Sequence, residues 1–287
     1  MPSATTQTKK LLIIGPTGVG KSTIINQITN SSLTIGDTSA HANISSVNCS
    51  YNGIEYELFD ILGWFAAESE SITDQVVTTF NAYKQLKQTI QKLDFGIHML
   101  ICVISDKKVT KNDVATIQLI YEHVFSRQIP LVLIVNNKHY KLTNSSSIGW
   151  IEKHEKEISE TFGNIFVGKY EMAFPKLTPL QQTAQDSEEI LKEKERVSTN
   201  SKTTFFEKVL THSLQEGVKN EASTISTSPT SPRKSSPLVE IVKLCEKVNS
   251  KQAQKEISSA LQNLYHIPEQ QALKEAEQII KECNISH

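Results

Sequence analysis

Residues Gly15–Thr23 read GPTGVGKST and fit the pattern G-x-x-x-x-G-K-[ST]. The segment follows an apolar run, Lys10–Ile14, and opens a helical pattern over Ser22–Ile28, which is the strand–loop–helix setting that the pattern requires. Each residue type has a chemical reason. Gly15, Gly18 and Gly20 let the backbone turn tightly with its N–H groups inward, and the helix N-terminus adds positive potential where phosphates sit. Thr17, Val19 and Thr23 complete the cradle. Lys21 is placed to bridge β- and γ-phosphates, and the Ser22 hydroxyl to ligate Mg²⁺. A loop of this kind needs a buried strand before it and a helix behind it, so it confines the chain to an α/β architecture.

The rest of the pattern agrees up to about residue 218. Val47–Tyr51 and Ile54–Phe59 flank Asn52-Gly53, the dipeptide best suited to a two-residue type I′ turn, and so predict a β-hairpin. A polar helix is expected over about Ser71–Leu93, a buried strand over His98–Ile104, and a helix over Asp113–Phe125. A strand is expected over Pro130–Val135, a helix over Ile148–Phe162, and a short strand within Ile165–Phe174. Strands alternating with helices imply a mostly parallel sheet with helices on both faces, to which the hairpin adds one antiparallel edge strand.

A second phosphate-side element is expected at a strand end. Leu58-Phe59-Asp60-Ile61-Leu62-Gly63 supplies it, with Asp60 placed to reach Mg²⁺ through water and the Gly63 N–H placed to meet a γ-phosphate. Between the two elements, Thr34, Thr38 and Ser39 each offer a hydroxyl that can close over the metal, and generic chemistry does not choose among them.

Composition limits the partners. Over 287 residues, 30 Lys+Arg oppose 31 Asp+Glu, a net charge of −1, so no global field holds the chain on nucleic acid or an anionic membrane. No run is apolar and long enough to span a bilayer, and Leu11-Leu12-Ile13-Ile14 is too short for a signal-peptide core. Cys49, Cys102, Cys245 and Cys283 lie far apart, with no zinc or disulfide spacing, which points to a reducing, cytoplasmic compartment. The hydrophobic fraction of 38% is lean for a single compact globule.

Three segments together resemble a known family: Gly15–Thr23, Asp60-Ile61-Leu62-Gly63-Trp64-Phe65, and Gly96-Ile97-His98 through Val103 with Lys108-Val109-Thr110-Lys111-Asn112-Asp113. They look like the avirulence-induced, immunity-associated GTPases, the GIMAP-type branch of the septin-like GTPases. The resemblance covers about residues 10–218. It implies a G domain that binds GTP or GDP with Mg²⁺, and nucleotide-dependent self-association as a homodimer or oligomer. It also makes Thr38, in Gly36-Asp37-Thr38, the best switch threonine, and leaves Lys21 and Thr38 as the best catalytic candidates.

Departures from the family pattern bear on function. Asp-Thr-Pro-Gly has become Asp60-Ile61-Leu62-Gly63, which keeps only the two phosphate-side residues. Many hydrolytic GTPases place a water-orienting Gln after this Gly, and here the residue is Trp64. An indole donates one hydrogen bond and accepts none, so slow intrinsic hydrolysis is expected. Guanine selection usually rests on an Asn/Thr-Lys-x-Asp loop. Asn137-Lys138 matches its first half, while Tyr140 stands in the place of Asp. GTP is therefore the first choice of nucleotide and ATP the second. Phe174 reads either as a purine contact or as core.

Glu221–Pro237 is rich in Ser, Thr and Pro and nearly without apolar residues, which predicts a disordered linker over 219–237. Residues 1–9 are expected to be disordered as well. Ser228, Ser231 and Ser236 each precede Pro and are candidate phosphorylation sites. Residues 238–287 return to helical spacing. Leu238, Ile241, Val242, Cys245 and Val248 form one stripe and Ile257, Ala260, Leu261 and Leu264 another. Pro268 is expected at the first helical position of a third stripe, Leu273, Ala276, Ile279 and Ile280. These helices are expected to dock on the chain's own G domain or on a protein partner. The reading is a Mg·GTP-dependent switch or self-assembling GTPase. A non-hydrolysing nucleotide-binding scaffold is the alternative, and an ATP-using P-loop enzyme a weaker one.

Overall fold

The computed structural model describes residues 8–31, 44–61, 63–64, 71–91, 93, 96–106, 109–137, 149–175, 186–214, 237–247 and 250–283. Six strands form one sheet: β1 (Lys9–Ile14), β2 (Ile44–Tyr51), β3 (Ile54–Ile61), β4 (Met99–Ser105), β5 (Leu131–Asn136) and β6 (Gly168–Met172). Their order is β2-β3-β1-β4-β5-β6, with β2 antiparallel to β3 and every other pair parallel. Continuous apolar runs make β1, β4 and β5 suited to burial on both faces, and Leu11, Leu12, Leu100, Ile101, Leu133 and Ile134 are all fully buried. The hairpin turns at Asn52 and Gly53, whose φ values of 51° and 75° are both positive as a type I′ turn demands, and Tyr51 pairs with Ile54.

The chain packs as two compact units. The first comprises residues 1–63, 93–109 and 127–219 and contains the sheet. Its helices are α1 (Lys21–Thr29), α4 (Trp150–Phe162) and α5 (Asp186–Thr204), the last continuing into a π-helical turn at Phe205–Val209. Ile24, Ile25 and Ile28 of α1 join Leu11, Ile13, Met99, Val132 and Phe205 in one core cluster, and Phe174 packs against it. Helix α1 stops at Asn30, which takes a left-handed φ of 55° and returns its N–H to the Asn26 carbonyl.

The second unit comprises residues 64–92, 110–126 and 220–287. It holds α2 (Ile72–Gln91), α3 (Lys111–Leu119) with a π-helical turn at Ile120–Val124, and α6 (Pro237–Lys247), α7 (Ser250–Tyr265) and α8 (Glu269–Glu282). Helices α6 and α8 both pack on α2, and α6 also on α3. The Tyr83 hydroxyl donates to Glu246 Oε2 at 3.1 Å, Lys87 pairs with the same carboxylate, and Thr73 donates to Glu275. Helices α6 and α8 thus dock on helices of the chain's own N-terminal two-thirds, and α7 packs on α6 and α8.

Details of the tail differ from expectation. Leu264 and Leu273 are 38% and 41% exposed, and Ala272 is buried in Leu273's place. The inward stripe of α8 runs Ala272, Ala276, Ile279 and Cys283: Ala276 and Ile279 face inward as expected, whereas Ala272 is buried in place of Leu273 and Ile280 is only half-buried. Pro268 sits just before the helix with ψ 145°, at the N-cap rather than the first helical position. The expected linker lies almost wholly outside the described residues, as do Ser228, Ser231 and Ser236. Among the described residues no helix is long and apolar enough to cross a membrane.

Candidate functional site

The sheet brings the sequence-separated elements together. β1 lies between β3 and β4, with Ile13 opposite Asp60 and Ile14 opposite Cys102, so the loop after Ile14 starts beside the end of β3. Ligands of open parallel sheets bind in this crevice, outside the carboxyl ends of the strands. Gly15 passes so close to β4 that a Cβ there would lie 2.1 Å from the Val103 carbonyl oxygen, which only glycine tolerates. The first helical hydrogen bond, Ile24 N–H to Gly20 O at 2.9 Å, sets the helix N-terminus at the end of the loop.

Inside this loop Lys21 is buried, and its Nζ donates to the carbonyls of Gly15 and Pro16 at 3.0 and 3.2 Å. The Ser22 hydroxyl donates to Asp60 Oδ2, across 38 residues of sequence. Asp60 Oδ1 is buried and has no hydrogen-bond partner among the described residues. Burial pushes the Asp60 carboxyl above its ordinary value of 3.8, against the opposing hydrogen bond from Ser22 and the charge of Lys21. A hydroxyl, a carboxylate and an unused carboxylate oxygen at one point form the oxygen donor set of a hard cation, so these residues fit Mg²⁺. Gly63 approaches from the other side: a Cβ on it would lie 2.5 Å from Lys21 Nζ and 2.6 Å from the Thr17 nitrogen.

Trp64, next in the chain, is buried, and its Nε1–H donates to Asp113 Oδ1 at 2.9 Å. Asp113 Oδ2 meanwhile accepts from the Thr110 N–H at 3.1 Å and its hydroxyl at 2.8 Å, while the Asp113 N–H returns to Thr110 Oγ1. The Thr-x-x-Asp of the resemblance is thus a capping box at the start of α3, and its carboxylate also anchors the indole. The one donor of Trp64 is committed there.

His98 belongs to the opposite end of the sheet. Its buried Nδ1 accepts from the Lys10 N–H at 2.9 Å and joins the starts of β1 and β4, while the loop lies past the other end of β1. Burial is the first cause of its lowered pKa, and the charge of Lys9 the second.

At the end of β5 the residue tied to the phosphate loop is Asn136, whose Nδ2 donates to the Val19 carbonyl at 2.8 Å. In the sequence Asn136 opens the loop whose Asn137-Lys138 pair matches the guanine-selecting pattern, and the pattern itself gives Asn136 no role. Its position as the final residue of a buried strand was the available signal. Asn137 lies one residue on and donates to Glu171 Oε1 at 2.8 Å, with its backbone N–H on the Met172 carbonyl at 2.8 Å. Glu171 Oε2 accepts from the Trp150 N–H at 2.7 Å, at the start of α4. One carboxylate thus bonds both Asn137, after β5, and Trp150, at the start of α4. A cavity of about 250 Å³ beside it is lined by Asn137, Glu171, Ala173, Arg196 and Asn200. Glu171 was not anticipated either, because a strand glutamate carries no motif. Lys138 and Tyr140 lie outside the described residues, as does Thr38.

Residues 10–138 match the family model described as 50S ribosome-binding GTPase. The chain carries the G-domain fold of a P-loop GTPase. The match, with the loop in its strand–helix setting, supports a guanine-nucleotide-binding protein. No curated protein sequence matches the chain significantly. Among solved structures, a dimerization-deficient mutant of Toc33 from Arabidopsis thaliana aligns at 14% identity with TM-score 0.42, covering 67% of this chain and 85% of that one. Era in complex with MgGDPNP and a segment of 16S ribosomal RNA aligns at 10% identity and TM-score 0.42, covering 85% of this chain and 70% of that one. Likenesses at this level carry no conclusion about activity.

Proposed function

We propose that this chain is a Mg·GTP-dependent switch of the GIMAP-like kind, whose intrinsic hydrolysis is slow and which self-associates as a homodimer or oligomer in the GTP state. The observation that carries the reading is the convergence of Lys21, Ser22, Asp60 and Gly63 on one loop at the carboxyl ends of β1 and β3. In this reading the loop N–H groups of Gly15 to Thr23 hold the phosphates, and Ser22, Asp60 and Thr38 attend the metal. Asn137 and Lys138 flank the base. The metal, when bound, neutralises charge on the phosphates. The chain's own residues do the rest: Lys21 spans the phosphate oxygens and Gly63 reports the third phosphate. A cytoplasmic setting is supported by four free cysteines and a near-neutral charge, which also argues against nucleic acid as a partner.

A second reading, a nucleotide-holding scaffold without hydrolysis, is favoured by one observation. The indole N–H of Trp64, in the place of the water-orienting Gln, is already bound to Asp113. Titration of mant-GTP against mant-ATP with Mg²⁺, followed by phosphate release at rising protein concentration, separates the readings. GTP preference with turnover that climbs with concentration is expected for the switch. Tight binding with no phosphate release at any concentration selects the scaffold, and equal affinities discard guanine selectivity. Lys21→Ala is expected to abolish binding, and Asp60→Ala to reduce chiefly its Mg²⁺ dependence. Unchanged affinity in the Lys21 variant refutes the site.

A further inference from the structure

In the phosphate loop most polar side chains have found a protein partner. Lys21 is bound to two loop carbonyls and Ser22 to Asp60. Thr17 differs: its Oγ1 is buried and has no hydrogen-bond partner among the described residues. A native fold rarely buries a hydroxyl without giving it a partner, and when it does, a ligand at a binding site is a natural candidate.

The place of Thr17 says which part of a ligand. A Cβ built on Gly63 would lie 2.6 Å from the Thr17 nitrogen and 2.5 Å from Lys21 Nζ, so the three residues crowd one point at the mouth of the loop. Lys21 is the group that spans the β- and γ-phosphates, and the Gly63 N–H is the group that meets the γ-phosphate. The Thr17 backbone nitrogen therefore lies beside Gly63 and Lys21, on the side of the loop that those two residues assign to the γ-phosphate. A phosphoryl oxygen only accepts hydrogen bonds, and a threonine hydroxyl has one hydrogen to donate.

We propose that the Thr17 hydroxyl reads the third phosphate: it donates to a γ-phosphoryl oxygen of a bound nucleoside triphosphate and stays unpaired over a diphosphate. Thr17 then sets the ratio of triphosphate to diphosphate affinity, and with it the occupancy of the switch. This rests on the guanine-nucleotide reading above and adds to it a residue that distinguishes the two nucleotide states.

The test uses the full chain with Mg²⁺ and two probes, mant-GMPPNP and mant-GDP, on the wild type, Thr17→Val and Thr17→Ser. Valine keeps the branched shape and removes the hydroxyl, and serine keeps the hydroxyl. A hydrogen bond to a charged acceptor corresponds to about a tenfold change in affinity. Thr17→Val is expected to bind mant-GMPPNP about tenfold more weakly and mant-GDP within about twofold of wild type, with Thr17→Ser restoring the wild-type ratio. If the valine variant fails to fold, the serine variant and Thr17→Ala carry the same comparison. An unchanged ratio in the hydroxyl-free variant overturns the proposal, as does equal weakening of both nucleotides. A wild-type protein that binds neither probe overturns the nucleotide reading itself, and that result needs no variant to be seen.

Discussion

Gly15 is fixed by its neighbour across the sheet. A methyl group at this position would meet the Val103 carbonyl oxygen at 2.1 Å, and backbone inside a central strand cannot move aside. Gly15→Ala is therefore expected to destabilise by about 2 kcal/mol or more and to lower Tm by roughly 4–8 °C, read by circular dichroism. An unchanged Tm would mean that β1 and β4 are not held this closely. Asp60 shows how one carboxylate serves two states. Because burial raises its pKa above 3.8, the folded metal-free protein holds this proton more tightly than the unfolded chain. Its contribution to stability is full below pH 3.8 and is lost as pH rises through the raised value. Asp60→Asn removes that titration, so the metal-free variant should show a flatter stability profile above pH 4 and no loss of Tm at neutral pH. Matching profiles for the two proteins would show that the carboxylate carries no such burden. The same variant should lose the gain in Tm that Mg²⁺ with GTP gives the wild type.

Helix α3 begins with a capping box whose carboxylate also takes the Trp64 indole hydrogen. Removing the hydroxyl alone, Thr110→Ala, is expected to cost about 1 kcal/mol. Asp113→Ala keeps the Thr110 hydroxyl on the backbone N–H at position 113, but it removes the carboxylate that accepts from the Thr110 N–H and hydroxyl and leaves a buried indole N–H without an acceptor, so about 2–4 kcal/mol is expected. Urea unfolding of both variants checks the order, and equal losses would mean that the indole bond contributes nothing. Similar logic applies to Glu171, which holds Asn137 and the Trp150 N–H together. Glu171→Ala should weaken mant-GTP binding while leaving the Lys21 end of the site intact. At this scale the sequence was readable where side-chain chemistry and local geometry coincide. The Asn52-Gly53 turn, the apolar strands and the phosphate loop fall in this class. Helix α5 was not readable, because its inward stripe is Lys194, Val197 and Ser201, two of them polar. Ser201 faces inward to exchange hydrogen bonds with the Ala173 backbone at 3.0 Å, a role that depends on β6 and leaves no periodic signal. The Asn136 and Glu171 contacts span 117 residues and 34 or fewer, distances over which local pattern says nothing. Leu264 and Leu273 were misplaced for a related reason. Spacing identifies a helix, but which neighbouring stripe turns inward depends on how closely the partner helices approach, and the small Ala272 and Ala276 permit the closer one.

At the scale of the whole chain, α2 and α3 share a compact unit with a tail that begins more than a hundred residues later. The sequence suggests a G domain over 10–218 and, after a linker, helices over 238–287 that dock on it or on a partner. That division can be tested by where the stability resides. Helix α2 buries Val76, Phe80, Tyr83, Leu86 and Ile90, and both α6 and α8 pack on it. Tyr83 is 1% exposed, and its hydroxyl depends on Glu246 of α6. Ending the chain at residue 218 strips these helices away, so the truncated protein is expected to melt lower and to bind a hydrophobic dye that the full chain excludes. A truncated protein with the full chain's Tm would establish 10–218 as a domain that needs no tail. A finer test keeps the tail. Glu246→Ala leaves the Tyr83 hydroxyl buried without its acceptor and should cost about 1–3 kcal/mol, whereas Glu246→Gln retains an acceptor oxygen and should recover most of that loss. If alanine and glutamine melt together, the Tyr83 contact is incidental and other contacts of the tail hold it to α2. If they separate as expected, the Tyr83–Glu246 hydrogen bond helps to join α6 to α2, and the tail is a structural part of the unit that contains α2.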